Sequence, residues 1–379
     1  MIFTIGQAPT KQWVRYVFYF VLAVCSLQAL KGIDFRGYLE ALTQARAQGL
    51  DTPPYPTISA KNGDYFQSPI TTILLLPLSY LPLGAGKLFA ALYTTLGVLY
   101  LLWTLKVGQL PQRIAWALLL LFTHALSDAY LSLNPLFSTA VLLWASHRLS
   151  LSDTPKDRIL SGFCFSIALA LRPFPALLLP FFVFSRQKRK VFPWILFFSL
   201  LAFLMTFIFL PSPIRWWQSW FQALPLYRFA ADVLHPTFQT PLSLVARLCV
   251  LGFGFPKENL NLIEGPLAFL YSGLCYFFAI RLEREKKHDL AFSILLSCLY
   301  CCFARVWACG FFYCFPFLVL AFSKTRSFWP LVFGLGYALL PQWAWPGDLW
   351  GFLMSRMGLQ GCFILASLVY AWNLVRNEA

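Results

Sequence analysis

Residues 185–218 read SRQKRK VFPWILFFSLLAFLMTFIFL PSPIRWWQ, the spaces setting off 191–210. Arg186, Lys188, Arg189 and Lys190 stand directly before twenty residues that carry no charge. An α-helix of that length reaches about 30 Å, the thickness of the hydrocarbon core of a bilayer. Cations gathered at one end of such a run mark its cytoplasmic side. The segment therefore reads as a membrane-spanning helix that leaves the cytoplasm at Lys190 and emerges before Pro211.

The rest of the chain repeats this pattern. Of its 379 residues, 59% are apolar, 18% aromatic and only 12% charged, whereas a soluble domain carries about a quarter charged residues. The apolar excess lies in runs of 13 to 20 residues broken by short charged or proline-bearing stretches, the pattern of a multi-span helical membrane protein. A soluble globule, a disordered chain, a collagen-like repeat and a disulfide scaffold are excluded. The net charge of +15 would suit nucleic acid, but the basic residues sit in clusters between apolar runs, where membrane topology accounts for them. The expected partner is the lipid bilayer, not nucleic acid. All ten cysteines lie in or beside apolar segments and read as small hydrophobes. Cys298-x-x-Cys301 has no partner pair in a polar loop, so it is not read as a metal or redox site.

Lys11 and Arg15 precede the first apolar run, about 14–30. No small-x-small cleavage site follows, and Val24 is a poor residue before Cys25 for a lipoprotein site, so this span is expected to stay attached with its N-terminal side in the cytoplasm. Further cytoplasmic loops are marked by Lys106/Arg113, Arg148/Lys156/Arg158, Arg186/Lys188/Arg189/Lys190, Arg281/Arg284/Lys286/Lys287, Lys324/Arg326 and Arg376. An even number of crossings must separate successive clusters. The pairs 114–130 with 135–147, 159–171 with 174–185, 191–210 with 263–281, 290–304 with 311–323, and 328–344 with 352–372 supply them. Parity allows only one crossing between the first span and Lys106. The stretch 69–83, with Pro69, Pro77 and Pro82, is expected to lie in the outer interface or re-enter, which leaves 87–105 as the second span. Cytoplasmic segments then hold 18 basic and 6 acidic residues, and external ones 12 and 9. The expectation is an all-α polytopic bundle of twelve spans, one integral membrane domain over 1–379. A first external loop, 31–86, contains an interfacial helix; a second covers 211–262.

The polar residues gather at the external face. Asp34, in IDFRGYLEAL, follows the first span at the start of an amphipathic helix. A carboxylate at an apolar–polar boundary is partly desolvated and becomes a better base; the simpler reading of its position is a helix cap. Arg172, in LALRPFPALLL, lies between two apolar segments with Pro173 and Pro175 turning the chain. An embedded arginine needs an anionic partner, and phosphate suits its planar fork. Snorkelling or a salt bridge to Asp128 are the alternatives. Arg305, in CCFARVWACG, is the same kind of residue at the same face. Trp216, Trp217, Trp220, Tyr227 and Arg228 read as an interfacial aromatic belt. His124, His147, His235 and His288 show no ligand spacing, and the chain has no phosphate loop, nucleophile elbow or D-x-D pair. A transporter would put ionisable groups inside the spans, often with internal repeats, and none is found.

Asp34-Phe35-x-x-Tyr38, closing with Tyr65-x-x-Ser68-Pro69-x-x-x-x-Leu74-x-x-Pro77-Leu78, resembles the first external loop of polytopic GT-C glycosyltransferases. The chain is most similar to glycosyltransferase family 87, the polyprenyl-phosphate-mannose-dependent α-mannosyltransferase-like proteins. Ser132-Leu133-Asn134, Ala170-Leu171-Arg172-Pro173-Phe174-Pro175, and Gln239-Thr240-Pro241-Leu242-Ser243 followed by Arg247 fit in order, over roughly residues 10–325. The chain departs from the family in having Leu131-Ser132 where Gly-Gln is usual and Cys309-Gly310 where His-Tyr is usual. The resemblance implies transfer of a sugar, mannose by analogy, from a polyprenyl monophosphate to a hydroxyl of a glycan or glycolipid acceptor at the non-cytoplasmic face. Asp34 matches the family's carboxylate and would be the general base of an inverting reaction. Arg172 and Arg305 would neutralise the departing phosphate, with Asn134, Tyr38, Tyr65 and Gln239 as further substrate-binding residues. No metal or cofactor is implied. Short loops suggest a bacterial plasma membrane. Two other readings stay open: a flippase for lipid-linked sugars, and a non-catalytic polyprenyl-lipid-binding assembly protein.

Overall fold

The computed structural model describes residues 9–55, 68–230, 240–303, 308–338 and 359–377. Among these residues there are helices and turns but no strand. In chain order the α-helices are α1 (Pro9–Leu27), α2 (Ile33–Ala47), α3 (Pro69–Leu75), α4 (Leu83–Thr104), α5 (Gln112–Ser132), α6 (Pro135–Ser150), α7 (Pro155–Leu171), α8 (Leu179–Phe184), α9 (Phe192–Phe209), α10 (Pro213–Ala230), α11 (Pro241–Arg247), α12 (Asn261–Arg284), α13 (His288–Cys301), α14 (Phe315–Phe322), α15 (Trp329–Ala338) and α16 (Leu359–Arg376).

Among the described residues, four stretches are long and apolar enough to cross a membrane: Leu83–Thr104, Gln112–Ser132, Lys188–Phe209 and Lys257–Arg284. Their exposed faces identify the solvent. Phe197, Leu200, Leu204, Phe207 and Ile208 on α9, and Leu88, Phe89, Leu92 and Leu96 on α4, lie open on the surface. Each such side chain would give up about 1.5–3 kcal/mol in water, so these faces belong against lipid, and the protein is a membrane protein. Other apolar helices are shorter, His288–Cys301 and Phe174–Phe184 among them. The stretch Pro69–Tyr80 is divided between α3 and a 3₁₀ turn from Leu76, with Pro77 ending the α-helical bonding.

Two compact units make up the chain. One comprises Leu27–Gly97 and Ala129–Asp232; the other comprises Met1–Ser26, Val98–Asp128 and Val233–Ala379. In the first, α6 and α7 form an antiparallel hairpin. Thr154 caps α7 by accepting the Asp157 N–H at 3.2 Å, and Pro155 follows at the position where a missing N–H costs nothing. The hairpin is joined by small polar residues: Ser161 Oγ donates to the Ser146 carbonyl at 2.7 Å, and both side chains are fully buried. α9 crosses α7 where Gly162 leaves room for Trp194, and Ser166 Oγ donates to the Ile195 carbonyl at 2.9 Å. Close approach at small residues, sealed by hydrogen bonds, is how helices associate when lipid supplies no hydrophobic drive.

The part of this unit built from α2 and α10 has its own core. α2 turns Phe35, Tyr38, Leu39, Leu42 and Ala45 inward, the three-and-four spacing of one helical face. Tyr38, Leu42 and Ala45 meet Tyr55, Leu210, Trp216, Trp220 and Ala223. Trp216 is fully buried and donates its Nε1–H to the Leu50 carbonyl at 2.8 Å. Tyr55 meets its ring edge-on at 5.8 Å. The tryptophans expected to form an interfacial belt are therefore core residues in the case of Trp216 and Trp220. The reason is their i, i+4 spacing, which puts both rings on the face of α10 that meets α2.

In the second unit α13 is buried along its length from Leu290 to Cys301. Cys298 Sγ lies 3.2 Å from Cys302 Sγ, and Ser272 Oγ lies 3.1 Å from the latter. The contact thus falls one turn apart along the helix and not at the C-x-x-C spacing. Gly334 brings α15 against Ala117 of α5, where a Cβ would come within 2.8 Å of the Ala117 carbonyl oxygen.

Candidate active site

α7 ends at Leu171 because Pro173 disfavours helical backbone at the residue before it. Arg172 accordingly adopts φ −149° and ψ 138°, which carries its side chain off the helix axis. Its Nη2 donates to Asn134 Oδ1 at 3.0 Å. Asn134 is buried and caps α6, the same Oδ1 accepting the Leu136 N–H at 3.1 Å. One amide oxygen thus ends two tasks, closing a helix and orienting a guanidinium.

The residue before Asn134 is under strain. Leu133 is buried and holds φ at +52°, a region that costs a residue with a branched side chain on the order of 1 kcal/mol or more. The turn is held by the Asn134 N–H on Ser132 Oγ at 3.2 Å and the Leu133 N–H on the Ala129 carbonyl at 3.0 Å. Strain retained in a tightly bonded turn is characteristic of functional sites.

A second segment is bonded to the chain two residues before Arg172. Ser68 caps α3, accepting the Thr71 N–H at 3.2 Å. Ser68 Oγ and Thr71 Oγ1 both lie on the Ala170 carbonyl oxygen, at 2.9 and 2.6 Å. A carbonyl in the last turn of α7 is thereby satisfied by hydroxyls 102 and 99 residues away, and both hydroxyl residues are buried.

The third segment is the start of α2. Gly32 takes φ +45° and stands at the N-cap position, so Asp34 is the second helical residue and not the cap. A Cβ on Gly32 would meet the Ala29 carbonyl oxygen at 3.1 Å, Lys87 Cε at 3.2 Å and Leu133 Cδ1 at 3.3 Å. The turn that begins Asp34's helix therefore touches the turn that presents Asn134. Lys87 Nζ donates to the Lys31 carbonyl at 2.6 Å. The N-termini of α2 and α6 carry partial positive charge and add to Arg172, so this region suits an anion.

The structure thus ties Arg172 to Asn134 and sets the Gly32 turn, two residues before Asp34, beside Leu133. Tyr38 goes elsewhere, into the core with Trp216 and Trp220. Arg305, Tyr65 and Gln239 lie outside the described residues, as does the side chain of Asp34. Thr240, next to Gln239, caps α11 by accepting the Ser243 N–H at 3.1 Å, and Arg247 at the end of that helix is buried. In the second unit Asp128 Oδ2 accepts the Cys309 N–H at 2.8 Å, anchoring the position where a family histidine is usual. Lys87 and the Ser68–Thr71 hydroxyls were not legible as site residues. A lone cation opening an apolar run was the only available signal for the first.

The family model described as glycosyltransferase family 87 matches residues 65–306, well over half of the chain. No curated protein and no solved structure matches it.

Proposed function

The chain belongs to glycosyltransferase family 87, and on that premise we propose that it moves a sugar, mannose by family resemblance, from a polyprenyl monophosphate to an acceptor hydroxyl on the non-cytoplasmic side of its membrane. In this reading the donor's lipid tail lies in the bilayer and its phosphate meets the positive region around Arg172. Asp34 takes the acceptor proton as the anomeric carbon gains oxocarbenium character, and attack opposite the leaving phosphate inverts the centre. Arg172 meets the charge that develops on that phosphate, an interaction that strengthens toward the transition state. The sequence adds Arg305 as a second candidate cation. Twelve crossings with both ends in the cytoplasm, as in a bacterial plasma membrane, put Asp34 and Arg172 on the external side.

The observation that supports this reading is the convergence of three distant segments. Gly32 contacts Leu133, Asn134 holds Arg172, and Ser68 and Thr71 bond the carbonyl two residues before Arg172. A carboxylate at the head of one segment and a guanidinium fixed by another are the two groups that displacement of a monophosphate needs. The test is purified protein in lipid vesicles with labelled polyprenyl-monophosphate mannose and a membrane glycolipid extract. Asp34→Asn is expected to lower transfer by roughly 10²–10⁴-fold, the usual contribution of a general base, with insertion unchanged. Transfer at the wild-type rate in that variant would remove Asp34 from the reaction. Movement of donor across the vesicle without transfer would favour a flippase, and binding alone an assembly role.

A further inference from the structure

We propose that Lys87 is a positioning residue for the transfer, clamping the Lys31–Gly32 turn so that Asp34 is presented at a fixed place at the head of α2. The inference rests on the role given to Asp34 above. Lys87 is the fifth residue of α4, and its Nζ donates to the Lys31 carbonyl at 2.6 Å. A hydrogen bond from an ammonium is about twice as strong as one between neutral groups. The carbonyl it holds belongs to the residue before Gly32, whose φ of +45° lies in the left-handed region. That turn has no room for a side chain, since a Cβ on Gly32 would stand 3.1–3.3 Å from Ala29 O, Lys87 Cε and Leu133 Cδ1. The aliphatic stem of Lys87 forms one wall of the turn and its ammonium the tether.

α4 grips α2 at a second point. Gly86 has no side chain where α2 passes, and a Cβ there would come within 2.9 Å of Leu39 Cδ1 and 3.5 Å of Phe35. Gly86 therefore sets the separation of the two helices, and Lys87 sets the height at which α2 begins. Asp34 is two residues beyond the clamped turn. Misplacing a reacting group by about 1 Å can cost on the order of 10²-fold in rate, so a tether two residues along the chain from Asp34 acts on turnover more than on binding.

The test compares Lys87→Met and Lys87→Arg with wild type in lipid vesicles, using labelled polyprenyl-monophosphate mannose and a membrane glycolipid extract. Lys87→Met keeps the stem and removes the donor; it is expected to lower kcat by roughly 30–100-fold with donor KM within about threefold. Lys87→Arg restores a charged donor and is expected to recover at least about a tenth of wild-type kcat. Independently of activity, amide hydrogen exchange over residues 31–36 is expected to speed up about tenfold in Lys87→Met while α9 is unchanged. Wild-type kcat in Lys87→Met, a loss confined to donor KM, or unchanged exchange at 31–36 would each overturn the proposal. Should wild-type protein transfer no sugar, the proposed function fails by itself, and the exchange comparison still decides the clamp.

Discussion

Asn134-Pro135 and Thr154-Pro155 open the two arms of one hairpin, at opposite ends. Their backbones are nearly identical, φ −74° and ψ 138° at Asn134 against φ −73° and ψ 138° at Thr154. Each side-chain oxygen accepts an N–H of the helix it begins, and each proline fills the next position. At Thr154 the matter ends there. The cap is exposed, its side-chain bonds stay within residues 152–157, and the nearby Arg158 pairs with the exposed Asp153 at 2.9 Å. At Asn134 the same oxygen also holds Arg172, 38 residues away, inside a buried and strained turn. A local signal for starting a helix becomes part of a site only where a second segment is folded against it.

Breaking the site end should therefore cost activity, and breaking the other end should not. Arg172→Ala is expected to lower donor turnover by about 10²-fold, the usual loss when one donor to a developing anion is removed. Arg172→Lys is expected to lose less, since it keeps the charge without the planar fork. Equal donor kinetics in the two variants, measured at several donor concentrations, would leave Arg172 a structural role only. Asn134→Ala removes both the cap and the guanidinium's partner. Its expected effect is about tenfold on kcat/KM, together with roughly 1–2 kcal/mol of lost cap stability, read from activity and thermal unfolding of the same preparation. A loss of stability with full activity would make Asn134 as local as Thr154.

The smallest effect sharpens the contrast. Thr154→Ala should leave transfer untouched and cost about 1 kcal/mol. The hydroxyls of Ser152 and Thr154 hold the Asp157 carboxyl below its ordinary range. A carboxyl depressed in the folded state adds stability above its unfolded pKa and loses it as pH falls through the folded one. Thr154→Ala should weaken this dependence on the acid side, which thermal unfolding across pH 3–6 would reveal. Any fall in transfer rate at neutral pH would break the comparison.

Much of the architecture was legible because it depends on neighbours along the chain. The amphipathic helix at Asp34 was legible, as was the break of 69–83 at its prolines, whereas Tyr38, expected to bind substrate, is a core residue. The end of α7 was written in Arg172-Pro173. Membership of glycosyltransferase family 87 rested on short motifs in the right order, and the match over 65–306 bears it out. The burial of Trp216 was not legible from aromatic content alone. It requires α2 and α10, nearly two hundred residues apart, to share one core. The Cys298–Cys302 contact lies outside the C-x-x-C spacing, because residues four apart also share a helix face.

The amino-acid sequence by itself determined that this chain is helical, that lipid is its solvent, and several of the points where its helices begin or break. Hydrophobic run length, proline stereochemistry and capping hydroxyls act over a few residues and need no partner. Only the tertiary structure decided that Ser68, Asn134, Arg172 and the Gly32 turn come together. Their hydrogen bonds and contacts span 38 to 102 residues, and contacts at such separations depend on how α3, α6 and α7 pack.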